Sequence, residues 1–95
     1  MESEWKLRLH RSARKFLETL DPSQRSRVAE RLNDLLTYLE KGTLPYARLD
    51  IKRLRGEWEG YLRMRVGKLR VVFRLDPESK IVYVYSVHYR RRVYG

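Results

Sequence analysis

Two alternating runs flank Gly67-Lys68, and together they commit the middle of this chain to a β-hairpin. Tyr61-Leu62-Arg63-Met64-Arg65-Val66 and Leu69-Arg70-Val71-Val72-Phe73-Arg74-Leu75 both follow period two, leaving a two-residue turn between them. With that tip, Val66 faces Leu69, Arg65 faces Arg70, Arg63 faces Val72 and Tyr61 faces Arg74. Leu62, Met64, Val71 and Phe73 then share an apolar side, and Tyr61, Arg63, Arg65, Arg70 and Arg74 the other. In 95 residues there is room for one domain and one modest core, so every other element has to help cover the apolar side.

The remaining elements supply that cover. Trp5-Lys6-Leu7-Arg8-Leu9 alternates and predicts a first strand. Ser12 is a candidate N-cap for a short helix with Ala13, Phe16, Leu17 and Leu20 on one stripe. Asp21-Pro22 gives a second N-cap followed by proline at the first helical position, and Val28, Leu32, Leu35, Leu36 and Leu39 recur at helical spacing behind it. Lys41-Gly42 ends that helix, and Thr43-Leu44-Pro45 opens an irregular link of roughly a dozen residues. After the hairpin, Asp76-Pro77-Glu78-Ser79-Lys80 reads as a turn and Ile81-Val82-Tyr83-Val84-Tyr85-Ser86-Val87 as the most β-prone run of the chain. The order β-α-α-β-β-β predicts an α+β fold, a helical hairpin packed on one face of a mainly antiparallel sheet. The other face, bearing the hairpin arginines, is left open.

Charge singles out that open face. Residues 1–40 hold eight Lys/Arg against seven Asp/Glu, and residues 41–95 hold fourteen against five, so nine of the ten net positive charges lie in the second part. Placing Arg65 opposite Arg70 costs a few tenths to about 1 kcal/mol unless an anion sits between them. A sequence pI near 10.3 points to nucleic acid, an anionic membrane surface or an acidic protein. Arginine interleaved with tyrosine favours nucleic acid, because membrane-surface proteins more typically carry their cations on an amphipathic helix. No cysteine is present for a disulfide or a thiolate metal site, no run approaches the ~18–20 apolar residues that span a bilayer, and Met1-Glu2-Ser3-Glu4 is unlike a signal peptide. A cytoplasmic protein without metal or cofactor is expected.

Several pieces from Asp50 to Tyr94 resemble the RelE/ParE toxin superfamily: Leu54-Arg55-Gly56, Tyr61-Leu62-Arg63-Met64-Arg65-Val66-Gly67, Leu69-Arg70-Val71-Val72-Phe73, and Val87-His88-Tyr89-Arg90-Arg91-Arg92-Val93-Tyr94. The resemblance implies a RelE-like single domain over 1–95, the toxin of a type II toxin–antitoxin system neutralised by an antitoxin that wraps it. RelE-like members cut mRNA in the ribosomal decoding site and ParE-like members act on DNA gyrase. The RelE-like reading implies mRNA and the ribosome, with its 16S rRNA surface, as partners. A ParE-like toxin that cuts nothing, and a basic nucleic-acid-binding module without activity, are the alternatives.

Cleavage of RNA by its own 2′-hydroxyl needs a base for that hydroxyl, positive charge for the phosphorane-like transition state and an acid for the leaving oxygen. By the resemblance, Arg70, Arg90 and Tyr94 are the catalytic candidates: the two guanidinium groups hold the scissile phosphate, and Tyr94 stacks on a base or helps to move the proton. Arg63 and Arg65 match basic strand positions of the family. Where relatives carry lysine there, a proton carrier is available that arginine cannot replace, which leaves the general base open and a slower enzyme possible. Arg91 and Arg92 add counterion-release affinity, and Lys52, Arg53 and Arg55 extend the same surface or form a solvated loop. His88 either closes the last strand or transfers a proton, for which imidazole is suited. His10 is read as a surface residue. Tyr83 and Tyr85 are either a stacking platform or cross-strand packing, and Trp58 either touches a partner or covers the sheet edge.

Overall fold

A computed structural model describes residues 4–90. β1 (Lys6–Leu9) is followed by α1 (Arg11–Glu18), α2 (Pro22–Glu40), β2 (Ile51–Arg53), a single 3₁₀ turn (Gly56–Trp58), β3 (Leu62–Val66), β4 (Leu69–Asp76) and β5 (Ile81–Tyr89). The five strands make one sheet in the order β1-β5-β4-β3-β2, antiparallel throughout except where β1 runs parallel to β5. The α+β class and the helical hairpin over one sheet face are therefore as the residue pattern predicts.

Both helix starts follow local chemistry. Asp21 Oδ1 accepts from the Gln24 N–H at 2.8 Å, with Pro22 in the first turn where no donor is needed. At the first helix the cap is His10 and not Ser12: His10 Nδ1 accepts from the Ser12 N–H at 3.1 Å. Ser12 is inside the helix, and its hydroxyl donates instead to the Tyr85 carbonyl at 3.2 Å. Arg25 ties the two helices together by donating from Nε and Nη2 to the Leu17 and Leu20 carbonyls at the end of α1. That places a positive charge at the C-terminal end of α1, where a cation is favoured.

The hairpin has the predicted register, Leu62 with Phe73, Arg63 with Val72, Met64 with Val71, Arg65 with Arg70 and Val66 with Leu69. Gly67 stands at φ +61, the left-handed value that a first central residue needs in a two-residue hairpin turn. Phe73, Met64, Val71, Val82 and Val84 are buried against Ala13 of α1 and Val28, Leu32, Leu35 and Leu39 of α2. Two features depart from the expected layout. The link from Thr43 is not irregular throughout, because Ile51–Arg53 adds an edge strand to β3. Between Val72 and Phe73 the β4–β5 register also slips, Val72 opposing Ser86 while Phe73 opposes Val84, so Tyr85 is bulged outward.

Candidate functional site

The face of the sheet that the helices leave uncovered carries a row of three side chains in register, Arg65 on β3, Arg70 on β4 and His88 on β5. Strand pairing alone makes this row, since neighbouring strands lie about 4.8 Å apart and residues in register point the same way. Beside it, the loop between β2 and β3 is closed where the Leu54 N–H donates to the Tyr61 carbonyl at 2.9 Å. Gly56 at φ +69 and Gly60 at φ +96 let the chain turn twice within that loop. The result brings Arg55 and Trp58 over the open face.

Leu54, Arg55, Trp58, Arg70, Ser86 and His88 line a hollow of about 570 Å³ with Val72 among its walls. Two guanidinium groups and an imidazole share it, and among the described residues no carboxylate lines it. The Nε of Arg70 is closed off from solvent and has no hydrogen-bond partner among the described residues. A buried donor without a protein acceptor is uncommon, and an anion in the hollow is one way to satisfy it. Trp58, 40% exposed, belongs to an aromatic cluster at the rim, its ring centroid 5.3 Å from both Tyr61 and Tyr85, which are 5.9 Å from each other. Exposed rings beside arginines offer bases a face to stack on.

The other residues singled out in the sequence fall into different places. Arg63 does not lie open to a ligand. It is 5% exposed, and its Nη1 donates to the Asp50 backbone carbonyl at 2.9 Å and to Asp50 Oδ1 at 3.1 Å. The added edge strand is the physical reason, because Asp50 at φ +53 is the corner that leads into β2 and presents both oxygens to β3. Lys52 pairs with Arg63 in register and is exposed, whereas alternation turns Arg53 to the opposite side, where its guanidinium lies 5.7 Å from the Tyr46 ring centroid. Arg65 is exposed next to Arg70. Arg90 is at the hairpin tip: its N–H donates to the Lys68 carbonyl at 2.9 Å and its Nη1 to the Gly67 carbonyl at 3.0 Å. It does not line the hollow. Arg91, Arg92 and Tyr94 lie outside the described residues. Arg55 is the lining residue that charge alone did not separate from a solvated loop, and its only sequence signal was the Leu54-Arg55-Gly56 piece.

Among the described residues no helix is long and apolar enough to cross a membrane. Residues 7–94 match the family described as the ParE toxin of the type II toxin–antitoxin system. A Methanocaldococcus jannaschii protein that bears the toxin name RelE1 is 30% identical over 86 residues, which is 90% of each chain. Among solved structures, the RelE–RelB complex of Pyrococcus horikoshii superposes with a TM-score of 0.76 at 22% identity, over 95% of this chain and 99% of that one. The toxin–antitoxin complex RelBE2 of Mycobacterium tuberculosis gives 0.73 at 28% identity, over 92% and 99%. The first of these speaks for the fold, and the family match and the M. jannaschii relative carry the classification. The chain is a member of the RelE/ParE superfamily, a toxin of a type II toxin–antitoxin system with a RelE-like fold.

Proposed function

We infer that this toxin is a ribosome-dependent endoribonuclease that cuts mRNA in the decoding site and so stops translation. The observation that carries the reading is the hollow in which Arg55, Arg70 and His88 meet beside Trp58 on the uncovered sheet face. A phosphate between the two guanidinium groups has the negative charge of its non-bridging oxygens balanced by them, and the buried Nε–H of Arg70 gains an acceptor. The ribose 2′-oxygen attacks the adjacent phosphorus, the bond from phosphorus to the 5′-oxygen of the next nucleotide breaks, and a 2′,3′-cyclic phosphate is left. Charge on the pentavalent transition state grows on oxygens that the arginines already face, which is where fixed positive charge lowers a barrier most. One proton leaves the 2′-hydroxyl and one reaches the departing 5′-oxygen. His88, level with Arg70 on the neighbouring strand, is the described side chain able to carry one of them.

Arg65, Arg90, Arg91, Arg92 and Lys52 add positive potential that holds mRNA and the 16S rRNA surface without choosing the bond to be cut. Arg53 belongs to the far side of β2 and is left out of this group, and Arg63 is assigned to the frame. Tyr94 is kept in the role the family resemblance gives it, stacking on a codon base or passing a proton. A cognate antitoxin is the expected protein partner, since the matching structures from P. horikoshii and M. tuberculosis are toxin–antitoxin complexes.

The test is a cell-free translation reaction with mRNA 5′ ends mapped by primer extension, run with the wild-type chain, Arg70→Ala and His88→Ala, a ribosome-free control and a gyrase supercoiling assay. Cuts that need ribosomes and are lost in Arg70→Ala support the reading. Intact mRNA together with inhibited supercoiling replaces it by the ParE-like one.

A further inference from the structure

A second row of side chains crosses the same open face four residues further along β4. Arg74 on β4, Tyr83 on β5 and Arg8 on β1 stand in register, so one tyrosine lies between two arginines on adjacent strands. The Arg74 guanidinium is 4.5 Å from the Tyr83 ring centroid, close enough for a cation–π contact. With His10, Tyr61 and Tyr85 these residues line a hollow of about 340 Å³ that no carboxylate among the described residues enters. Neither Arg8 nor Arg74 has an acidic side chain within ion-pair distance among the described residues. His10 lies against Tyr85, centroids 5.2 Å apart, and Tyr85 with Tyr61 continues into the Trp58 cluster that rims the first hollow. The two hollows are thus joined by an unbroken patch of rings.

We propose that this second hollow is a nucleotide subsite for single-stranded RNA, in which Arg8 and Arg74 hold one phosphate over Tyr83 while Tyr85 stacks on its base and Tyr61 meets that base edge-on. Two strand spacings separate the arginine backbones, roughly 10 Å, a span that two long side chains close around one phosphate. Arg70 and Arg74 are about 13 Å apart along β4 at the rise of an extended strand. That distance corresponds to at most about four stacked nucleotides of one strand. An RNA with its scissile phosphate in the first hollow therefore reaches the second without bending back. The bulge serves this arrangement, because Tyr85, already turned outward by alternation from the buried Val84, has no register partner on β4 and its ring lies between the hollows. The subsite rests on the ribonuclease reading only for which RNA fills it. Its own chemistry is two guanidinium groups, a stacking platform and no competing anion.

The test measures binding of two fluorescent, 2′-O-methylated and hence uncleavable RNAs, a dinucleotide and a twelve-nucleotide strand, to the full chain. The variants are Arg8→Ser/Arg74→Ser, Tyr85→Leu and Arg70→Gln, with melting temperature as the check on folding. Arg8→Ser/Arg74→Ser is expected to weaken the twelve-mer about tenfold and to lower the slope of log affinity against log salt by about 0.7 for the phosphate it held, with a smaller loss for the dinucleotide, which the first hollow still takes. Tyr85→Leu is expected to weaken the twelve-mer about tenfold, the order of one lost stacking contact. Unchanged twelve-mer binding in both variants, with cleavage in the translation assay intact, overturns the subsite and leaves the nuclease reading standing. Weaker twelve-mer binding in Arg8→Ser/Arg74→Ser with an unchanged salt slope also overturns it, since no phosphate would then have been held there. A polyglutamate probe that binds as tightly as the twelve-mer, with the same dependence on Arg8 and Arg74, overturns it in favour of an acidic protein partner.

Discussion

The two faces of this sheet are built from alternate residues of the same strands, yet they obey different rules. On the covered face, Phe73, Met64 and Val71 are completely buried against the helices, and each is fixed by the shape of its neighbours. On the open face, Arg65 stands opposite Arg70 and Arg8 and Arg74 flank Tyr83, with no carboxylate among the described residues to answer them. The first face stores the stability of the domain. The second keeps like charges together at a cost to stability that a bound anion would offset.

The sharpest way to separate the faces is to damage one and read both properties. Phe73→Ala removes a fully buried ring from the centre of the core, and the expected loss is about 3–5 kcal/mol by chemical denaturation. Against a typical domain stability of about 5–15 kcal/mol that loss is enough to leave the chain marginal. Arg70→Ala should do the reverse. Cleavage is expected to fall roughly 10²–10³-fold, the usual effect of deleting one transition-state donor. Stability should hold or rise by up to about 1 kcal/mol, because the repulsion with Arg65 disappears. A destabilised Arg70→Ala protein that still cuts mRNA would show that Arg70 belongs to the frame.

Arg63 tests the comparison where it is weakest, since register assigns it to the open face while burial assigns it to the framework. Arg63→Met is expected to cost about 1–3 kcal/mol through the lost bonds to Asp50, with cleavage per folded molecule within about threefold of wild type. Preserved stability with a collapse in cleavage would instead return Arg63 to the phosphate-binding group. Thermal melting and single-turnover cleavage on the same samples decide between them.

What could be read from the residues and what could not divides along similar lines. The hairpin register, the Asp21-Pro22 helix start and the leucine stripe of α2 are local patterns, each set by neighbours within a few positions. The edge strand Ile51–Arg53 is too short and too basic to announce itself, and it exists because β3 offers it free backbone groups. The burial of Arg63 depends on Asp50, thirteen residues away and in a left-handed corner. Alternation alone turns Tyr85 outward, but the register slip that leaves it unpaired against β4 is one that no single strand encodes. Even Arg55 enters the candidate site only because a loop bond between Leu54 and Tyr61 turns it over the sheet. Where a site is assembled by long-range pairing, residue type limited the chemistry to arginine and an anion, and tertiary contacts chose which arginines.

The smallest expected effect concerns an ion pair that belongs to neither face. Lys80 Nζ donates to Glu4 Oε1 at 2.6 Å, joining the segment before β1 to the turn before β5, where the Lys6 N–H also donates to the Lys80 carbonyl at 2.8 Å. The hydrogen bond from Lys80, followed by its charge, holds the Glu4 carboxyl below its ordinary value of 4.5. A carboxyl whose folded pKa is depressed binds its proton more readily in the unfolded chain. Its stabilisation is therefore present above about pH 4.5 and fades as the pH falls through the lower folded value. Because Glu4 is fully exposed, solvent and salt screen the pair, and Glu4→Gln should match wild type closely at pH 7 in 0.5 M salt. At low salt the two proteins should differ slightly at neutral pH and converge as acid protonates Glu4. The same small difference at pH 3 and pH 7 would mean that Glu4 acts through packing and not through its charge, and would make the N-terminal strand an extension of the covered core.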